Sequence, residues 1–161
     1  TKAPVERRLF HIPLVPLDSR GRVRLQIPAG AERHETESAL MVPPLLDMHV
    51  IQVFPHMHLL GREIYAEVEA PREDPKPIVY INNWDFNWQG YYNYVEPLAM
   101  PAFSTVRLKC THDNSENNPR NPNNPLKTVG WGEGTEDEMC LVLLGVTFDR
   151  ENLLPFTSGR R

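Results

Sequence analysis

Long apolar runs are missing from this chain of 161 residues, and nothing in it approaches the roughly 18 consecutive apolar residues of a membrane span. No membrane-spanning helix is expected. Cysteine is scarce as well. With Cys110 and Cys140 alone, the chain is neither a disulfide-dense scaffold nor a CxxC redox or zinc module, and by itself the pair reads as two buried thiols as readily as one bridge. Positive charge is in short supply, 17 Lys and Arg against 21 Asp and Glu for a formal charge of -4, and no basic stripe interleaves with the aromatics. Such a surface gives a phosphate backbone nothing to hold, which excludes nucleic acid as a partner. A sustained helical period is also absent.

What the chain has instead is punctuation. Sixteen prolines and frequent Asn, Asp and Gly cut it into short segments, the pattern of an all-β protein. The length allows one well-formed core and falls short of two. Together these predict a single domain over residues 1–161, folded as an antiparallel, jelly-roll-like β-sandwich. Strand signals fall at Leu9 to Val15, Arg22 to Ile27, Ala39 to Val42, the segment around His56, Glu63 to Ala70, Ile78 to Trp88 and Leu141 to Phe148. Asp18-Ser19-Arg20-Gly21, Pro28-Ala29-Gly30 and the glycine-rich Gly130-Trp131-Gly132-Glu133-Gly134 read as turns. The start at Thr1-Lys2-Ala3-Pro4 carries no signal-peptide pattern and reads as a chain processed or excised from a longer protein, and the tail after Asp149 is expected to lie on the surface.

Three further segments carry expectations. Trp84, Phe86 and Trp88 alternate with Asp85, Asn87 and Gln89, which in a strand gives an aromatic core face backed by a solvated one, with a substrate wall as the alternative. Asn-Pro steps at Asn118, Asn121 and Asn124 exclude a helix and make the region after Cys110 a surface loop. Its oxygen-rich side chains suit capping better than calcium binding.

The chemistry concentrates in Val50-Ile51-Gln52-Val53-Phe54-Pro55-His56-Met57-His58. In an extended strand side chains alternate faces, so His56 and His58 project together, about 6.5 to 7 Å apart at the backbone, and two imidazoles at that spacing can share one ion. Met57 faces the other way. A strand histidine pair alone is more often a half-exposed polar face than a metal site. A thioether beside two imidazoles selects copper, Cu(I) above all, but Met139 lies 81 positions after His58 and spacing does not single it out from the other four methionines. His49, seven residues before His56, has the opposite parity if no bulge intervenes, and so faces away from the ion.

A resemblance makes the choice. Ile27-Pro28-Ala29-Gly30, Met48-His49-Val50, Pro55-His56-Met57-His58-Leu59-Leu60-Gly61-Arg62 and Thr135-Glu136-Asp137-Glu138-Met139-Cys140 resemble the C-terminal catalytic domain of copper type II, ascorbate-dependent monooxygenases, the peptidylglycine α-hydroxylating and dopamine β-monooxygenase family, in a bacterial-type form. The resemblance implies one copper per chain on His56, His58 and Met139; apart from the resemblance, His112 could approach through the adjoining strand as a weaker candidate for an extra ligand. It implies a Cys110–Cys140 bridge, and through it a periplasmic or extracellular location. It also implies an oxygenase-type domain that activates dioxygen for C–H hydroxylation of a small-molecule or peptide substrate, with ascorbate or another reductant.

Two departures qualify the resemblance. The chain has no room for the preceding domain that carries the family's second copper, so a partner domain for that copper or for electron donation is implied. Where the peptide hydroxylases hold a substrate carboxylate, this chain has Phe54, Leu141 and Leu143. Beside the oxygenase reading stand a copper carrier, storage or electron-transfer domain, and a purely structural sandwich.

Overall fold

The computed structural model describes residues 7–149, which form ten strands and no helix. In chain order these are β1 (Phe10–Leu14), β2 (Gln26–Ile27), β3 (His34–Met41), β4 (Met48–Met57), β5 (Gly61–Glu69), β6 (Lys76–Ile81), β7 (Tyr92–Met100), β8 (Thr105–His112), β9 (Val129–Gly130) and β10 (Cys140–Phe148). Eight of them build two four-stranded antiparallel sheets, β1-β10-β4-β7 and β3-β8-β5-β6, while β2 pairs with β9 as a small ribbon. The expected all-β antiparallel sandwich is what the chain forms.

Alternation explains the packing. Val50, Val53 and Met57 of β4 and Val142, Leu144 and Val146 of β10 point inward from the first sheet, and Ile64, Ala66 and Val68 of β5 with Val106 and Leu108 of β8 meet them from the second. A Cys110–Cys140 disulfide joins β8 to β10, and so fastens one sheet to the other. β10 is apolar on both faces, since Leu141 and Leu143 stand on its outer side. This continuous apolar run is why the segment is legible in sequence as a strand.

Several expectations need correction. The ladder at Arg22 to Ile27 narrows to Gln26–Ile27, β3 begins at His34 well before Ala39, and the strand that starts near Ile78 stops at Ile81. Residues 82–91 are turns and bends, so the strand parity assumed for the three aromatics fails there. Trp84 is core, Phe86 is half-buried and Trp88 is 78% exposed. β7 is an edge strand with no clear apolar alternation: its central residues 94–97 have no ladder partner, and Pro97 removes one donor. The surface position expected for the tail after Asp149 lies outside the described residues.

The Asn-Pro region has neither strand nor helix, as the three Asn-Pro steps require. Its polar side chains are turned inward: the Asn114 amide donates to the carbonyls of Ile27, Pro28 and Lys127 at 3.2, 3.0 and 2.9 Å. Asn118 donates to Asp113 O and Asn121 to Asn114 Oδ1. Arg120 donates to Trp84 O at 2.8 Å, which ties the loop to the end of the sandwich where β4 turns into β5.

Candidate metal centre

β4 delivers His56 to the outer face of the first sheet, and His58 follows just past the strand end, with ring centroids 5.0 Å apart and planes at 79°. His56 is half-buried and His58 buried. Each ring spends Nδ1 on a fixed acceptor. His58 Nδ1 donates to Asp137 O at 3.1 Å, and His56 Nδ1 donates to Gln89 Oε1 at 2.6 Å. The Gln89 orientation is not arbitrary, because its Nε2 donates to Phe86 O at 2.6 Å and so turns Oε1 toward His56. With Nδ1 the donor, the neutral form of each ring carries its lone pair on Nε2, the tautomer that ligates metal. Partial burial holds the His56 imidazolium below its ordinary range, with neighbouring His58 acting in the same direction and the Gln89 bond opposing.

Met139 arrives from the neighbouring strand. The β4–β10 register pairs Cys140 with Met57 and Leu141 with His56, so one step further it sets Met139 against His58. Residues opposite each other in an antiparallel pair share a face. Met139 thus lies on the imidazole side, and Cys140 turns inward to its disulfide. Among the described residues no three His, Cys, Asp or Glu side chains form a metal-holding group. Two imidazoles, with Met139 on the neighbouring strand, are what this end offers, and side chains of these types suit a soft, redox-active ion such as copper better than zinc or calcium.

The backbone beneath these side chains is clamped by a residue to which sequence reasoning gave no role. Glu138 has no exposed surface, and its Oε1 accepts from the N–H groups of His58 and Met139, the latter at 2.8 Å, while Oε2 accepts from Leu60 at 2.9 Å. One carboxylate thereby joins both halves of the site. Burial pushes its carboxyl up to about 7 against the opposing pull of the backbone donors of His58, Met139, Leu60 and Gly61. A signal was available: Glu138 is the last acid of Glu136-Asp137-Glu138 and stands directly before the apolar run Met139 to Leu144, with no basic residue near it in sequence.

Trp84 and His112 complete the clamp. Trp84 Nε1 donates to His58 O at 3.1 Å, and a Cβ at Gly61 would stand 2.7 Å from Trp84 Cδ1, so only glycine lets the indole lie there. His112 Nε2 donates to Met139 O at 3.3 Å, and the ring is fully buried. This puts His112 behind the Met139 backbone, with a bond to its carbonyl and not to the imidazole pair. Burial lowers its pKa to about 4, so the ring is neutral near pH 7; its buried Nδ1 has no hydrogen-bond partner, for which we have no physical account.

His49 departs from expectation in its reason. A bulge at Ile51 shifts the register of β4 against both neighbours, which reverses the parity and puts His49 on the same outer face as His56. It is separated by most of the strand, and its Nδ1 is 3.3 Å from Asp149 Oδ1.

Residues 24–146 match the family described as copper type II ascorbate-dependent monooxygenase, C-terminal domain. Over 118 residues the chain is 29% identical to the DBH-like monooxygenase protein 1 of Gallus gallus, an alignment that takes in 73% of this chain and 18% of that relative. The chain thus spans less than a fifth of the curated relative it matches. With the family match covering most of the sandwich, both histidines and Met139, this chain belongs to the copper type II ascorbate-dependent monooxygenase C-terminal domain family.

Proposed function

We propose that His56, His58 and Met139 hold one copper ion and that the domain serves a monooxygenase reaction in which dioxygen is activated for hydroxylation of a substrate C–H bond. The observation that carries this reading is the pair of imidazoles with both Nδ1 atoms committed to carbonyl acceptors; Met139, one residue before the β10 ladder that runs beside His56, supports it. When bound, copper supplies the one-electron chemistry that lets dioxygen react with an unactivated C–H bond. The protein's part is positional. Gln89 and Asp137 O fix the ring orientations, and Glu138 fixes the distance between the two halves.

Family membership supports ascorbate or a similar reductant as the electron source. A partner domain that supplies further electrons belongs to the same reading, given how little of the relative the chain covers. The Cys110–Cys140 bridge supports a periplasmic or extracellular location, since such bridges persist in oxidising compartments.

The test joins metal analysis with turnover. Loading under reducing conditions should give one copper per chain, and ascorbate with oxygen should then yield a hydroxylated product from a screened substrate set. Tight Cu(I) binding and transfer to an acceptor protein without any product identifies a carrier instead. Absence of stoichiometric copper sinks both.

A further inference from the structure

We propose that the outer face of the first sheet beside the imidazoles is a binding shelf for a small, uncharged, apolar molecule, which makes that the substrate class of the site; this rests on the reading of His56 and His58 as metal ligands. The strand registers assemble the shelf in two rows. Leu141 lies across from His56, and Leu143 lies across from Phe54. Phe54 is stacked against His56 with planes 13° apart and centroids at 6.1 Å, and on its other side the Tyr91 ring approaches to 4.8 Å. Phe86 adds a ring edge-on to His58 at 5.9 Å.

None of Leu141, Leu143, Phe54, Tyr91 and Phe86 carries a charge, and none is fully buried; Tyr91 is 54% exposed. An antiparallel sheet that faces only water is polar on its outer side. This face is apolar where it adjoins the imidazoles and turns polar on the next row, where Gln52 Nε2 donates to Asn93 Oδ1 at 2.8 Å. Two rows of side chains cover far less than the roughly 800 Å² that each partner contributes to a stable protein interface. The dimensions suit a small molecule, and continuity with His56 through the Phe54 stack suits one whose C–H bonds must lie next to the metal. None of these side chains offers an opposite charge, so a carboxylate or an ammonium placed on them would lose hydration without an ion partner in return.

Three ligands that share one bicyclic ring test the proposal: naphthylmethanol, naphthoate and naphthylmethylamine, each titrated by fluorescence into the copper-loaded full chain. Naphthylmethanol should bind at least about tenfold more tightly than either charged probe, and Phe54→Ala should weaken it roughly fivefold while copper stays at one per chain. Leu143→Glu supplies a second arm, shifting preference toward the amine. Equal or tighter binding of naphthoate or of the amine to the unaltered chain overturns the proposal, as does a Phe54→Ala variant that binds all three probes unchanged. Sedimentation that shows a dimer with Phe54 and Tyr91 covered, and no probe bound, overturns it too. Neutral-probe selectivity in a preparation that takes up no copper removes the metal reading and upholds the shelf.

Discussion

The outer faces of the two sheets make an instructive contrast. On β3, β5 and β8 the outward positions form a lattice of charge: Lys109 bridges Glu35 at 2.7 Å and Glu37 at 3.5 Å, Arg107 pairs with Glu69, and Arg33 reaches Glu63 at 2.8 Å. On β4 and β10 the corresponding positions hold Phe54, His56, Leu141 and Leu143. Both sheets bury equivalent inner faces in one core, so core formation does not account for the difference. Exposed ion pairs add little stability but keep a face solvated and unsuited to apolar ligands. The second sheet is finished against water, and the first is not.

Replacement of the imidazoles should sharpen that contrast most. His56→Ala or His58→Ala should cost more than roughly 100-fold in copper affinity, beyond the usual effect of losing a residue that merely orients a ligand. Lys109→Ala on the charged face should leave copper affinity and the thermal midpoint where they were. Competition against a Cu(I) chelator reads both variants, and an equal loss for Lys109→Ala would erase the distinction between the faces.

The disulfide couples the two sheets, so its removal should be felt throughout the sandwich. Loss of the bridge in a Cys110→Ala, Cys140→Ala double variant should lower unfolding free energy by about 3 to 4 kcal/mol on the chain-entropy account. Urea titration measures it. A change near zero would mean that the core alone holds the sheets together.

Acid should act through His112. Its imidazole titrates at about 4 in the folded protein against 6.5 when unfolded, so the unfolded chain takes up the extra proton between those values. The stability contributed by the neutral ring is present above 6.5 and is lost as pH falls through about 4. The full swing is about 3 kcal/mol. Glu138, its carboxyl raised to about 7, acts in the opposite direction over much of this range, so the measurement is a difference: the stability of the metal-free parent relative to His112→Gln should fall from pH 7 to 4, and an unchanged difference would place the acid sensitivity elsewhere.

The smallest expected effect is the most diagnostic for sulfur. Met139→Leu should weaken Cu(I) by roughly tenfold and Cu(II) by less, because a thioether favours the softer ion. Equal losses for the two oxidation states would remove Met139 from the donor set.

Legibility in the sequence followed physical locality. His56 and His58 were readable because a period of two needs no knowledge of partners, and β10 because apolar residues on both faces leave an unbroken run. The bulge at Ile51 was not readable: it arises from mismatch with two neighbouring strands, and it reversed the parity argument for His49. β7 escaped because an exposed edge strand has no face to mark, as Val95 at 100% exposure illustrates. Met139 required a family resemblance, since its approach to His58 depends on a pairing 81 positions long. Glu138 was in plain view, yet its role depends on which backbone donors surround it.

The place of β10 has a consequence for the order in which the molecule is made. It lies between β1 and β4, and β1 has no other neighbour in its sheet, yet β10 is the last strand in the described chain to leave the ribosome. Until it inserts, β1 is unattached, Glu138 has nothing to grip and the two imidazoles stand on an incomplete surface. Pairings this distant in sequence close slowly. On the proposed ligand set, the soft donor can join the two histidines only once β10 has paired with β4, and a nascent or truncated chain that ends before residue 138 offers an incoming ion only two imidazoles.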